Sequence, residues 1–232
     1  SMLVPCFNEE NTLGRTIDSL LALRYPKDKL EIVVIDDGSR DGTAAEAEKH
    51  GATVLKHIIN LGKGAALRTG GQYSLGKGAE ALVFMDSDGQ HDPEDLPRLL
   101  EALKDNDIVF TFRERNPNRL LPIGPSRMTP LLKRSIGKRS DLGSTDMPLI
   151  KKFGNTFIDA AMQLLFHINV RDTQCGYKAM RMEAYEKMQL MSNDYSIESE
   201  IAAKTGKYKL KFAQLPIKTV YAYKYKGTTV FD

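Results

Sequence analysis

Over the first 112 residues, short apolar runs alternate with stretches of helical spacing, and this alternation limits the possible folds more than any other feature. Met2 to Pro5, Leu30 to Asp36, Thr53 to His57, Ala81 to Asp86 and Asp107 to Phe112 read as strands. Between them, Glu9 to Leu23, Thr43 to Lys49, Gly64 to Leu75 and Pro93 to Lys104 carry the helical pattern, with Gly51 closing the second helix. Strand and helix in turn predict βαβ units, hence an α/β fold: an open, mostly parallel, Rossmann-like sheet flanked by helices. Ligands of such sheets bind beyond the carboxyl ends of the strands. The polar residues that follow each apolar run are therefore the first candidates for function.

The second half is less regular. Leu149 to Phe166 has helical spacing, Tyr177 to Met182 suits a short strand, and Ser196 to Thr205 a further helix. Tyr208 to Tyr223 alternates as a strand in which Pro216 implies an edge or a bulge. A chain of 232 residues suits one domain with a normal core. Cys6 and Cys175 are the only cysteines, too few for a disulfide scaffold and without zinc spacing, so a reducing, cytoplasmic setting is expected. No stretch nears 18 consecutive apolar residues and no signal peptide precedes the first strand, so the expectation is a soluble or peripheral protein.

The net charge of +3 hides a lopsided distribution. Arg113, Arg115, Arg119, Arg127, Lys133, Arg134, Lys138 and Arg139 face one acid, Glu114, which makes that segment +7 and the remainder −4. Leu120, Leu121, Ile123, Met128, Leu131, Leu132 and Ile136 are interleaved with it, a mixture suited to an anionic membrane surface. A solvated loop is the alternative, because Pro117, Pro122, Pro125 and Pro130 prevent one long helix. Base-stacking aromatics are absent there, which disfavours nucleic acid as a partner.

The most telling polar group is Asp86-Ser87-Asp88, directly after Ala81-Leu82-Val83-Phe84-Met85. Two carboxylates at i and i+2 suit Mg²⁺ or Mn²⁺, which take oxygen ligands and share their remaining positions with water and substrate phosphates. An EF-hand loop would need Gly and Glu where His91 and Pro97 stand. Turn chemistry is the plainer alternative, but Asp92-Pro93 already supplies a helix cap, leaving Asp86 and Asp88 without a structural task. At the first strand end, Glu9 could take donors from a base edge; at the second, Asp36 or Asp37 suits ribose hydroxyls. Asn60-Leu61-Gly62-Lys63-Gly64 is either a phosphate-binding turn, with Lys63 near a diphosphate, or a plain turn; it fits neither a Walker loop nor a dinucleotide fingerprint.

VPCFNEE, VVIDDGSRDGT, NLGKGAA, FMDSDGQHDPEDL, FGN and RDTQCGYKAM, in that order, resemble the family 2 glycosyltransferases of the GT-A fold. More narrowly they resemble the polyprenyl-phosphate hexose synthases, which include the dolichyl-phosphate mannose and glucose synthases. The resemblance spans residues 2 to 112 and 147 to 230. It implies one glycosyltransferase domain over 1–232: a nucleotide-sugar half at 1–112, a basic acceptor or membrane loop at 113–147, and an acceptor-side half at 148–232. It assigns Pro5, Phe7, Glu9 and Asp37 to the nucleotide, and Asp86, Asp88 and Gln90 to the metal and its phosphates. Arg113 matches a phosphate-holding arginine, Lys226 a later basic contact, and Asp172 the candidate catalytic carboxylate, whereas Cys175 reads as filler. The stretch between Glu114 and Met147 is longer than the family's usual connection. The signature of processive polysaccharide synthases is missing, and the chain has no Trp.

The resemblance thus implies an inverting, metal-dependent enzyme at the cytoplasmic face of a membrane, moving a hexose from UDP-glucose, or next GDP-mannose, to polyprenyl or dolichyl phosphate. The Asp172-Thr173-Gln174-Cys175-Gly176 run favours the glucose type. Rival readings are transfer to a soluble hydroxyl acceptor, a non-catalytic nucleotide-sugar-binding module, and a sugar nucleotidyltransferase, which should open with a glycine-rich loop where Val4-Pro5-Cys6-Phe7-Asn8-Glu9 stands.

Overall fold

The computed structural model describes residues 1–113 and 168–217. Their elements are β1 (Met2–Cys6), α1 (Leu13–Leu21), β2 (Ile32–Asp36), α2 (Thr43–Lys49), β3 (Thr53–Lys56), α3 (Lys63–Gly76), β4 (Ala81–Phe84), α4 (Leu96–Leu103), β5 (Ile108–Arg113), β6 (Lys178–Arg181), α5 (Met182–Met188), α6 (Ile197–Lys207) and β7 (Phe212–Ile217). The strands form one sheet in the order β3-β2-β1-β4-β6-β5-β7, parallel throughout except for β6, which runs against both β4 and β5.

Alternation along each strand divides the core between the two faces. Leu3, Val33, Ile35, Phe84 and Phe110 pack on one side with Leu67 of α3, Met188 of α5 and Ile201 of α6. Met2, Val4, Val34, Val83 and Val109 pack on the other with Ile17 of α1, Ala47 of α2 and Leu99 of α4. Each large aliphatic buried in this way stabilises the fold by about 1.5–3 kcal/mol. Two apolar layers on a single sheet are why the central strands read as unbroken hydrophobic runs.

Several boundaries differ from expectation. The first helix starts at Leu13 rather than Glu9, and in the turn that precedes it the Glu9 carbonyl accepts from the amides of Thr12 and Leu13. Pro93–Asp95 forms a 3₁₀ turn, capped as expected by Asp92, before α4 begins. Strand β2 starts at Ile32, β4 stops at Phe84, and β7 starts at Phe212. α5 was not expected at all, since seven residues are too few to show a period. Among the described residues Pro216 lies on an edge strand, in unbroken register opposite Phe112, so the bulge alternative falls away. The expected helix 149–166, the basic segment beyond Arg113, and Lys226 lie outside the described residues.

β6 decides where the site is. Phe84, the last residue of β4, and Phe110, midway along β5, both pair with Lys178, so the start of β6 lies at the end of β4 and beside the middle of β5. Reversed polarity delivers the segment entering β6, Asp172 to Gly176, to the same sheet edge as the carboxyl ends of β1, β2, β4 and β5.

Candidate active site

The segments after β1 and β2 are bound to each other. Asn8, at φ 55°, donates its amide to Ser39 Oγ (2.9 Å) and accepts from the Arg40 amide at Oδ1 (2.9 Å). The Glu9 amide donates to Thr43 Oγ1 (2.8 Å), and Thr12 Oγ1 donates to Glu9 Oε2 (2.5 Å). Phe7 is left exposed beside them, while Pro5 sits partly buried one residue before the end of β1.

Asp36 and Asp37 are both buried, with different surroundings. Asp36 Oδ1 accepts the Ser39 amide at 2.8 Å, and its Oδ2 lies 3.8 Å from Lys56 Nζ. Asp37 accepts from the Leu61 amide (2.9 Å) and the Gly62 amide (2.8 Å), and its Oδ1 lies 2.7 Å from His57 Nδ1. Asp37 thereby ties β2 to the turn that leads into α3. Gly38, at φ +77°, lies so close beneath that turn that a Cβ would sit 2.5 Å from the Ile59 carbonyl carbon.

At the end of β4 the two carboxylates differ. Asp88 is exposed, with Oδ1 accepting the Gln90 amide at 3.0 Å, and it lines a cleft of about 300 Å³ shared with Thr12, Arg15, Thr16 and His91. Asp86 is engaged from several directions. Its Oδ1 lies 2.6 Å from Lys63 Nζ and its Oδ2 3.5 Å from His91 Nε2, while Gly176 packs so closely that a Cβ there would lie 2.2 Å from Oδ2. The expectation that Asp86 has no structural task is therefore corrected: it anchors the turn before α3 and the segment entering β6. Burial disfavours its charge, but the Lys63 ammonium, with His91 adding to it, holds the carboxyl far below the usual carboxylate range.

Lys63 is shared. Its ammonium lies 2.8 Å from Glu198 Oε1, and the other Glu198 oxygen accepts from Lys178, so Asp86, Lys63, Glu198 and Lys178 form an alternating chain of charges. Burial pushes against the Lys63 charge, and Asp86 and Glu198 overcome it, raising its pKa above the usual lysine value. Sequence reasoning missed Gly176, Lys178 and Glu198. The glycine after Cys175 was a signal for the first, but nothing local marks a lysine and a glutamate 20 residues apart as partners.

Beyond Gly176, Asp172 meets Arg113: Nε to Oδ2 at 2.9 Å and Nη2 to Oδ1 at 3.4 Å, a forked pair at the end of β5. Cys175 is buried against Thr111 (3.0 Å) and its thiol is pushed up by burial, which fits filler rather than a nucleophile. The structure thus brings Asp86, Asp88, Lys63, Arg113 and Asp172 to one edge, beside Phe7, Glu9, Asp36 and Asp37. A larger hollow of about 480 Å³ lies at the opposite edge, near Asp107, Arg181 and Lys211, remote from these carboxylates.

For a divalent cation, the fit rests on donor chemistry. Among the described residues no three His, Cys, Asp or Glu side chains converge on a point, so a closed protein cage is not formed. One exposed carboxylate, Asp88, a second partly exposed one beside it, Asp86, and open space for phosphate oxygens are what Mg²⁺ or Mn²⁺ require. The residues present fit such an ion.

The model of the family described as "Glycosyl transferase family 2" matches residues 1–189. An uncharacterised protein of Methanocaldococcus jannaschii is 32% identical over 224 residues, covering 95% of this chain and 81% of its own length. A UDP-N-acetylglucosamine–dolichyl-phosphate N-acetylglucosaminyltransferase of Methanococcus voltae is 27% identical, with 95% and 85% covered. An undecaprenyl-phosphate mannosyltransferase of Micrococcus luteus is 27% identical, with 93% and 81% covered. Among solved structures, glucosyl-3-phosphoglycerate synthase from Mycobacterium tuberculosis, in complex with Mn²⁺, UDP-glucose and phosphoglyceric acid, superposes with a TM-score of 0.66 at 20% identity, covering 97% of this chain and 71% of that one. At that identity the likeness concerns the fold alone.

Proposed function

The chain belongs to glycosyltransferase family 2 and is a glycosyltransferase that works with a nucleotide sugar; from that premise we propose that it transfers a hexose to a polyprenyl or dolichyl phosphate, with inversion, in a reaction that needs Mg²⁺ or Mn²⁺. UDP-glucose is the favoured donor and GDP-mannose the next. The lipid acceptor is supported by the relatives named for dolichyl and undecaprenyl phosphate. Use of a divalent cation is supported by the donor set at Asp86 and Asp88. The observation that carries the reading is the meeting of that pair with the Arg113–Asp172 fork on one sheet edge.

In this reading Phe7 and Glu9 receive the nucleoside, with Pro5 behind them in β1 and the buried Asp36 and Asp37 holding the adjoining turns in place. Asp86, Asp88 and Gln90 would hold the cation, and Lys63 would face the diphosphate. A bound cation neutralises the charge that develops on the departing nucleoside diphosphate. An oxygen of the acceptor phosphate forms the new bond to the anomeric carbon as the bond to the diphosphate breaks. That acceptor is already largely anionic near neutral pH and needs no strong base. Arg113 then holds the acceptor phosphate, and Asp172, forked to it, orients the guanidinium. Lys226 adds a further basic contact, and the basic segment after Arg113 rests on an anionic cytoplasmic membrane face. Among the described residues, no helix is long and apolar enough to cross a membrane.

Transfer to a soluble hydroxyl acceptor is the second reading. Incubation with donor and either polyprenyl phosphate or soluble hydroxyl acceptors separates the two, since only lipid product partitions into organic solvent. Asp88→Ala should abolish nearly all transfer while leaving the fold intact. Wild-type turnover in the presence of a chelator would refute the metal-dependent mechanism.

A further inference from the structure

The paired charges at the end of β4 bear on how a divalent cation and a diphosphate would bind together. Lys63 Nζ lies 2.6 Å from Asp86 Oδ1 and 2.8 Å from Glu198 Oε1, so one ammonium is shared by two carboxylates. Glu198 is 3% exposed at its side chain and is tied at its other oxygen to Lys178, itself 1% exposed, so this acceptor cannot turn away. Asp86 is partly exposed, with Lys63 at Oδ1 and with Gly176 and His91 at Oδ2. α3 begins at Lys63 itself, and its opening turn is fixed by Asp37 and by the close approach of Gly62 and Gly64 to the Ser192 and Asn193 carbonyls. The ammonium is thus supported from behind by a fully buried anion and rests, in front, on an oxygen that a divalent cation would also seek.

We infer that Lys63 is a resident counter-cation of this edge: it neutralises Asp86 in the free protein and withdraws onto Glu198 when a divalent cation arrives with a nucleoside diphosphate. This deepens the functional reading and rests on it, since it presumes that the cation binds beside Asp86 and Asp88. A cation arriving alone must compete with the ammonium for Asp86, and binding would leave +2 and +1 charges as neighbours at one rim. A nucleoside diphosphate brings the missing negative charge, and its oxygens accept from the displaced ammonium. Cation and diphosphate should therefore bind as strongly coupled ligands, each raising the affinity for the other by the same factor. Lys63 would be the origin of that coupling, with Glu198 as the positioning residue that receives it.

The test measures Mn²⁺ binding by electron paramagnetic resonance and UDP binding by calorimetry, each with and without the other ligand. For the wild type, UDP should tighten Mn²⁺ binding by a factor of roughly 10² or more. Lys63→Met should bind Mn²⁺ alone about tenfold tighter than wild type, bind UDP more weakly, and lose most of the coupling. The paired change Glu198→Gln with Lys178→Met removes the second seat without leaving a buried charge unpaired, and should weaken Mn²⁺ binding in the absence of nucleotide. Should Lys63→Met fail to fold, ¹⁵N-lysine spectra of the wild type titrated with Mg²⁺ and UDP decide: the Lys63 Nζ resonance should move when both are present and barely with Mg²⁺ alone. Equal Mn²⁺ affinity in wild type and Lys63→Met, or an Nζ signal indifferent to Mg²⁺ with UDP, overturns the inference while leaving the metal site standing. Absence of Mn²⁺ binding to the wild type even with UDP overturns both.

Discussion

Gly176 is the position where a single methyl group should separate folding from catalysis. A Cβ there would lie 2.2 Å from Asp86 Oδ2 and 2.5 Å from both Cγ and Oδ1, whereas ordinary contact begins near 3.4 Å. To admit it, the carboxylate must retreat by about 1 Å, and Lys63, 2.6 Å from Oδ1 on the other side, resists the movement. Overpacking of this kind costs about 1–3 kcal/mol, which a domain stabilised by about 5–15 kcal/mol survives. The effect on transfer should be larger in proportion, because displacement of a site group by about 1 Å lowers turnover by a factor of roughly 10². Gly176→Ala should thus unfold in urea with a lowered midpoint and unchanged slope, and release nucleoside diphosphate from the donor some hundredfold more slowly. Gly76→Ala, at the end of α3 where nothing lies within 4 Å of an added Cβ, is the control and should be neutral or slightly stabilising. A Gly176→Ala protein with wild-type kcat/KM would refute the idea that the segment entering β6 fixes Asp86 for catalysis.

Two further outcomes follow from the geometry and a third from the charge of the sequence. Burial works against the Glu200 charge, but Lys204 and the amides of Met191 and Ser192 hold its pKa down to about 2. A depressed carboxylate stabilises fully above its unfolded value near 4.5 and loses that contribution as pH falls from there towards 2. Glu200→Gln should therefore cost about 1 kcal/mol at pH 6, allowing for solvent screening, and progressively less below pH 4; a constant deficit from pH 3 to 6 in urea titrations would contradict this. Asp172→Asn should change stability by no more than about 1 kcal/mol, since Arg113 is substantially exposed, yet lower transfer to the acceptor roughly 10²-fold; unaltered transfer would remove Asp172 from the mechanism. Binding to liposomes rich in anionic lipid should fall steeply with salt and on removal of residues 115–145, and insensitivity to both would exclude the basic segment as the membrane contact.

Where a single stretch of chain carries the physics, the sequence was readable. β1, β2 and β4 are buried on both faces and appear as continuous apolar runs, and Asp92-Pro93 marks the start of the next turn by local capping alone. Asp86 and Asp88 stand out because they follow such a run without interruption. Properties made between distant segments were not legible. The antiparallel direction of β6 leaves no mark on its four residues, and without that direction neither Gly176 nor Lys178 can be connected with Asp86. For the same reason Lys63 resembled a lone basic residue in a glycine-rich turn, when its charge is in fact divided between Asp86 and Glu198.

The reversal of one strand explains why Asp172 and Asp86 can share an edge at all. In an all-parallel sheet the segment entering a strand lies at the edge opposite the carboxyl ends, so Asp172 to Gly176 would sit a full strand length from Asp86. With β6 reversed between β4 and β5, Gly176 touches Asp86 and Asp172 reaches the Arg113 guanidinium at the end of β5. The charge chain then fastens this insertion from the helical side, since Lys178 on β6 and Lys63 on α3 are both held by Glu198 of α6. Removing one member of a buried pair costs about 3–5 kcal/mol, whereas replacing the pair by apolar groups costs little or nothing. The buried Lys178 and Glu198 are therefore better explained by what they hold in place than by the stability they add: a lysine aimed at the strand end where the diphosphate would lie.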